Sequence, residues 1–197
     1  MTGEDRSDAD PDARASGEAS DSLDGPNSGS DALDGPFLAD AMCGSLATIL
    51  RMCGFDTAYA LDRGVESDDA LRAIAHREDR TMLTRDRVLA DAVDRAVGLE
   101  STDTDAQLRA LADRGLALEL PDRPERCSAC NGSLDPVQSG PTPADVPNLD
   151  ERPVWRCPDC EKHFWRGSHW DAVADRLAAI RGGADGADHE RDPDRNA

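Results

Sequence analysis

Four cysteines and a handful of aspartates carry the chemistry most visible in this chain. Cys127 and Cys130, then Cys157 and Cys160, form two C-x-x-C pairs separated by 26 residues. Each short loop lets two thiolates face one ion, and four sulfur donors in a tetrahedron favour zinc, with disulfides or buried thiols as the competing explanation. A shell filled by four sulfurs leaves no position for a water nucleophile, so a zinc held in this way is structural. Any reaction must come from elsewhere. Asp40 follows the apolar run Phe37–Ala39, and Asp86 stands just after Thr81–Thr84, each at the expected end of a strand. Asp68 and Asp69 open a helical stretch whose N-terminus can lean over the same side. Ligands of open α/β sheets bind beyond the carboxyl ends of the strands. Carboxylates gathered there repel one another unless a cation joins them, and magnesium or manganese takes oxygen donors of this kind. Such an ion can activate water and hold a phosphate for in-line attack, which makes phosphodiester cleavage the natural reaction. The competing explanation is plain solvation, because the chain has 41 acidic residues and most of them must be surface.

The elements that would position these groups can be read from periodicity. "FLAD", "DTAYA", "TMLT" and "VGLE" read as strands, with "LALEL" as a possible fifth. Between them lie helical patterns: "GSLATILRMCG", stopped by Gly54; "DDALRAIAHRE", with Ser67 as N-cap; "DRVLADAVDRA"; and "DTDAQLRALADRG". Strands alternating with helices imply a parallel sheet wrapped by helices, hence the α/β class. Pro121 and Pro124 break the pattern, and a segment rich in Cys, Pro, Gly and Trp follows, closed by a last helix, "DAVADRLAAI". The expected organisation is a disordered acidic arm (1–36), an α/β domain (37–120), a zinc ribbon with its C-terminal helix (121–181) and a disordered acidic tail (182–197). The arm holds 10 acidic residues and 2 arginines and hardly any large apolar side chain, so it cannot offset its ordering entropy. Cys43 and Cys53, flanking the first helix, read as buried thiols before they read as a redox or metal pair.

Net charge is −19, and Lys162 is the only lysine among 22 basic residues. Such a surface ordinarily argues against nucleic acid. It also suits a halophile's cytoplasm, where molar salt shortens the Debye length to about 3 Å and screens self-repulsion. No apolar run approaches the roughly 20 residues of a membrane span, and no secretory signal precedes the cysteines, so a cytoplasmic protein without a membrane partner is expected.

"FLADAMCGSLATILRMCGFDTAY", "DDALRAIAHREDRTMLTRDRVL" and, after the ribbon, "FWRGSHW" resemble the Mut-seven C-terminal RNase domain family, a PIN-like nuclease fold followed by a zinc ribbon. The resemblance covers residues 37–178. It implies a magnesium- or manganese-dependent ribonuclease acting on RNA, with single strands the expected substrate. Carried over by position, Asp40 is the first-strand aspartate, Asp86 belongs to the "T-x-D" motif, and the helical acidic ligand falls on Asp68, with Asp69 one residue away. Asp103 and Asp105 are weaker candidates for a fourth acidic group. Thr84, by the same resemblance, orients Asp86 or a metal-bound water.

Arg85 and Arg87 flank Asp86 and can contact phosphate or pair with neighbouring carboxylates. In "HFWRGSHW", Phe164, Trp165 and Trp170 can stack on bases while Arg166 and His169 touch phosphate, although a small ribbon also needs large side chains for its own core. A metal-dependent ribonuclease is the expected function. A non-catalytic RNA- or protein-binding adaptor on the same scaffold is the alternative.

Overall fold

The computed structural model describes residues 33–184. Most of the expected arm and tail lies outside the described residues. The last residues of the arm do not behave as a separate segment: Leu33 packs on the core and its amide donates to the Arg114 carbonyl at 3.0 Å.

Four short parallel strands form the central sheet: β1 (Phe37–Ala39), β2 (Thr57–Tyr59), β3 (Thr81–Thr84) and β4 (Ala96–Gly98), in the order β2-β1-β3-β4. Between and after them come α1 (Gly44–Met52), α2 (Asp68–Arg77), α3 (Arg87–Asp91) and α4 (Thr104–Ala112). Alternation along the strands sorts side chains to two faces. Phe37, Ala39, Leu83 and Val97 join one apolar cluster with Leu46 and Leu50 of α1 and Leu108 and Leu111 of α4. Leu38, Met82 and Ala58 face the other way, onto Leu71 and Ile74 of α2 and Leu89 of α3. Parallel strands buried on both faces give the α/β layering that the sequence implies.

Two expected elements differ. "LALEL" makes no strand: Leu116 and Leu118 alternate inward, but the carbonyl of Leu118 accepts from Arg181 at 2.7 Å instead of from a neighbouring strand. The third helix is also shorter than its sequence pattern, five residues ending at Asp91, because the chain must turn to enter β4 at Ala96.

The zinc-ribbon part carries a three-stranded antiparallel sheet, β5 (Asp135–Pro136), β6 (Val154–Arg156) and β7 (His163–Trp165), in sequence order. The last helix, α5 (Ser168–Ala184), does not stay with it. Trp170, Val173, Leu177 and Ile180 enter the same cluster as α1 and α4. The α/β domain is therefore built from two stretches of sequence with the ribbon inserted between them, and the boundary expected at 121 divides the chain but not the core. Among the described residues no helix is long and apolar enough to cross a membrane.

Candidate active site and metal centre

The parallel pairing of β1 with β3 sets Ala39 beside Leu83, so the next residues, Asp40 and Thr84, meet at the carboxyl edge of the sheet. Both are buried, Asp40 at 5% and Thr84 at 0% exposed. The Thr84 hydroxyl donates to Asp40 Oδ2 and accepts from the Asp86 amide at 3.0 Å. Asp40 Oδ2 also accepts from the Arg85 amide at 3.2 Å, and Oδ1 from the Met42 amide at 2.7 Å. The Thr84 hydroxyl and the two amides hold the carboxylate in one orientation.

Asp86 is exposed and caps α3: its Oδ1 accepts from the amides of Val88 at 2.7 Å and Leu89 at 3.1 Å. One physical job of an acidic side chain at this lip is thus the N-cap, which satisfies two of the helix's unpaired donors. Asp68 and Asp69 start α2, both exposed, and Asp69 pairs with Arg72 on the next turn. Asp103 caps α4 through the Ala106 amide at 2.9 Å, and Asp105 pairs with Arg176 of α5, so each has a structural task of its own.

The surroundings of Asp40 are tightly built. Burial pushes the Cys43 thiol up, and the charge and hydrogen bond of Asp40 add to that, while Arg85 opposes it. Cys43 is therefore a protonated neighbour of the carboxylate and not a thiolate. Tyr59 donates its hydroxyl to the Ala41 carbonyl at 2.9 Å, closing the loop after β1. A side chain at Gly44 would come within 2.8 Å of that hydroxyl, so any larger residue there would force the Tyr59 ring to shift. The Arg85 Nε is buried without a hydrogen-bond partner. Three large apolar side chains stand exposed after successive strands: Met42 after β1, Leu61 after β2 and Val88 after β3.

The four cysteines are positioned to bind a metal such as zinc. Their sulfurs lie within 4.8 Å of one another, with Cys127–Cys160 and Cys130–Cys157 each at 3.5 Å. A tetrahedron with Zn–S bonds of about 2.3 Å has sulfurs about 3.8 Å apart, whereas a disulfide needs about 2.05 Å. The donors thus fit zinc and exclude disulfides. The two knuckles repeat one backbone pattern: Asn131 and Glu161 follow the second cysteine of each pair with φ of 72° and 61°, and each amide donates to the first cysteine's carbonyl at 2.9 Å. Among the described residues this is the one group of three or more Cys, His, Asp or Glu side chains so close together. Asp40, Asp86 and the two α2 aspartates do not form another.

Sequence reasoning missed how the first knuckle is fastened to the α/β domain. Arg51 of α1, 3% exposed, donates through Nε to the Thr57 carbonyl at 2.8 Å and through Nη2 to Asp62 at 2.8 Å. Its Nη1 reaches the carbonyls of Ser128 and Ala129, between the first cysteine pair, at 3.3 and 3.1 Å. Asn131 accepts from the Thr57 amide at 2.9 Å and donates to Asp56 at 2.7 Å. Periodicity gave no signal of it, because Arg51 stands off the apolar stripe of Leu46, Ile49, Leu50 and Cys53.

Of the expected nucleic-acid contacts, Arg87, Arg166 and His169 are exposed and Arg85 is half-buried. Arg166 donates to the Asp122 carbonyl at 3.0 Å. Trp170 corrects the expectation: at 7% exposed it is chiefly a core side chain of α5 and presents little face to a base.

No curated protein and no solved structure matches the chain. The family model described as the Mut7-C RNAse domain matches residues 36–177, a span that takes in the parallel sheet, both cysteine pairs and most of α5, and the chain accordingly belongs to the Mut7-C RNAse domain family.

Proposed function

We propose that the chain is a ribonuclease that hydrolyses phosphodiester bonds of single-stranded RNA at the carboxyl edge of β1 and β3. Membership of an RNase family supplies the substrate class. The observation that carries the site is the Thr84 hydroxyl, which ties the Asp40 carboxylate and the Asp86 backbone into one hydrogen-bonded unit. Asp40 and Asp86 would hold magnesium or manganese, with Asp68 or Asp69 of α2 the further carboxylate. Oxygen donors of this type suit a hard cation, and magnesium is commonly held by one or two carboxylates while keeping several waters. A bound divalent ion lowers the pKa of its water and offsets charge developing on the phosphate. The chain's own residues supply the rest. The Thr84 hydroxyl and the amides of Arg85 and Met42 fix Asp40 in place, the α3 cap orients Asp86 through one of its two oxygens, and the half-buried Arg85 stands beside both.

The test is cleavage of a labelled single-stranded RNA in manganese. Asp86→Asn keeps a good N-cap while removing the charge. We expect it to lose roughly 100-fold or more, beyond the range for outer partners of metal sites. Cleavage at the parent rate by both Asp86→Asn and Asp40→Asn would remove the site from consideration.

A second reading, a non-catalytic adaptor binding RNA or protein, is favoured by one observation. The cap explains Asp86 without any cation, and the acidic residues do not draw together as the cysteines do. Equal, metal-independent behaviour of parent and Asp86→Asn would support it.

A further inference from the structure

A cavity of about 310 Å³ lies where α1, the first cysteine knuckle and the turn from β7 into α5 meet. Thr48 and Met52 form its α1 wall, and Phe164, Trp165 and Trp170 its aromatic wall. The chain has 41 acidic residues in 197, about one in five, yet among the described residues no acidic side chain lines this cavity. Three of the seven aromatic residues do, and so do two of the four histidines, His163 and His169. Arg126 adds a positive charge, held in place by bonds to the carbonyls of Gly54 and Asn131 at 3.2 and 3.1 Å and shared with Asp56, whose carboxylate lies 3.9 Å from its Nη2. Packing alone does not explain the arrangement. Aromatics that serve only as a core close on one another, whereas Phe164 and Trp165 stay half-buried around an opening. Gly167 leaves room for Trp165 to lie beside it: a side chain there would stand 3.1 Å from the indole nitrogen.

The position also matters. The loop after Asp40 leads into α1, with the Cys43 amide donating to the Asp40 carbonyl at 3.1 Å. At 1.5 Å per residue, Thr48 and Met52 lie about 6 and 12 Å along the helix from Gly44. An unstacked strand covers such a distance in one or two nucleotides. The volume is at the lower end for ligand sites and suits one nucleotide better than a larger group.

We infer that this cavity takes one unpaired nucleotide of the RNA strand, its base stacked on the Phe164–Trp165 wall and its phosphate facing Arg126, His163 and His169. The inference deepens the ribonuclease reading and rests on it for the identity of the ligand. Stacking is tolerant of sequence and requires a base free of its partner. It also survives salt that screens long-range attraction, which matters on a surface this acidic.

The experiment follows tryptophan emission of the full chain, in about 1 M KCl without added divalent cation, during titration with an eight-nucleotide single-stranded RNA or its duplex. Two of the three tryptophans wall the cavity. Saturable quenching by the single strand, much weaker quenching by the duplex, and about tenfold weaker binding by both His169→Ala and Thr48→Phe are expected. Thr48 and His169 are exposed, so neither change should disturb the fold. Absence of quenching, equal binding of the duplex, or parental affinity in both variants would overturn the inference. Because no cleavage is needed, the two readings fail separately. Binding without manganese-dependent cleavage sinks the ribonuclease alone, and cleavage without quenching sinks the cavity alone.

Discussion

Replacing Arg51 by Met removes the guanidinium that joins α1, β2 and the first knuckle while keeping most of the apolar stem. The bond to the buried Thr57 carbonyl at 2.8 Å is worth about 2 kcal/mol, given a charged donor. The longer, divided pair to Ser128 and Ala129 at 3.3 and 3.1 Å adds about 1.4 kcal/mol together. Asp62 is 39% exposed and rehydrates when its partner leaves, so its bond contributes a few tenths of a kcal/mol. The total is about 3–4 kcal/mol, within the usual cost of breaking a buried charged contact. For a chain of this size that lowers the thermal midpoint by about 10 °C. The share belonging to the knuckle should appear in the metal: a loss of about 1.4 kcal/mol is tenfold in affinity. The assays are a melt followed by circular dichroism and competition for zinc against a chromogenic chelator. Arg51→Lys, which retains charge without the fork, should fall between parent and Met. If Arg51→Met melts within 2 °C of the parent and yields zinc at the same chelator concentration, the fastening has been misjudged.

Thr84→Val should destabilise by about 2 kcal/mol, since it leaves a buried carboxylate oxygen and the Asp86 amide without their common partner. RNA cleavage should fall at least tenfold while Thr84→Ser retains most of it, and a kinetic comparison of the two decides the matter. Glu78 bonds with Arg80 and Arg63, which hold its carboxyl down at about 2 from the ordinary 4.5. A lowered value stabilises the fold fully above pH 4.5 and loses that contribution as pH falls toward 2. Since 26% of the side chain is exposed, the effect is discounted to about 1 kcal/mol. The stability gap between parent and Glu78→Gln in denaturant titrations should therefore close across that window, and a gap independent of pH would refute it. With a net charge of −19, raising KCl from 0.1 to 1 M should raise the melting midpoint by screening self-repulsion. A falling midpoint would mean that surface ion pairs outweigh repulsion.

Local signals were legible in the amino-acid sequence and distant ones were not. "FLA" and "TMLT" announce β1 and β3 because buried parallel strands are short continuous apolar runs, and the cysteine pairs announce themselves by spacing. "LALEL" misleads because inward alternation of Leu116 and Leu118 looks the same whether the backbone meets a strand or an arginine from a helix. Asp86 was legible as a special position but not as a cap, since helix N-termini and hard cations both select aspartate at the end of a strand. Arg51 and its knuckle carbonyls are 77 and 78 residues apart, and no periodicity relates residues so distant. The return of α5 to the first core was hidden for the same reason.

The contacts of Thr57 have a further consequence. β2 is an outermost strand, and such a strand normally offers unpaired amides and carbonyls to any other chain able to extend it. Here the Thr57 amide is taken by Asn131 and its carbonyl by Arg51, both tied to the cysteine loop. A metal held by the four cysteines would, by ordering that loop, act as a guard against self-association. Stripping it should expose this flank, so demetallated protein ought to form larger species in a concentration-dependent way before its sheet is lost.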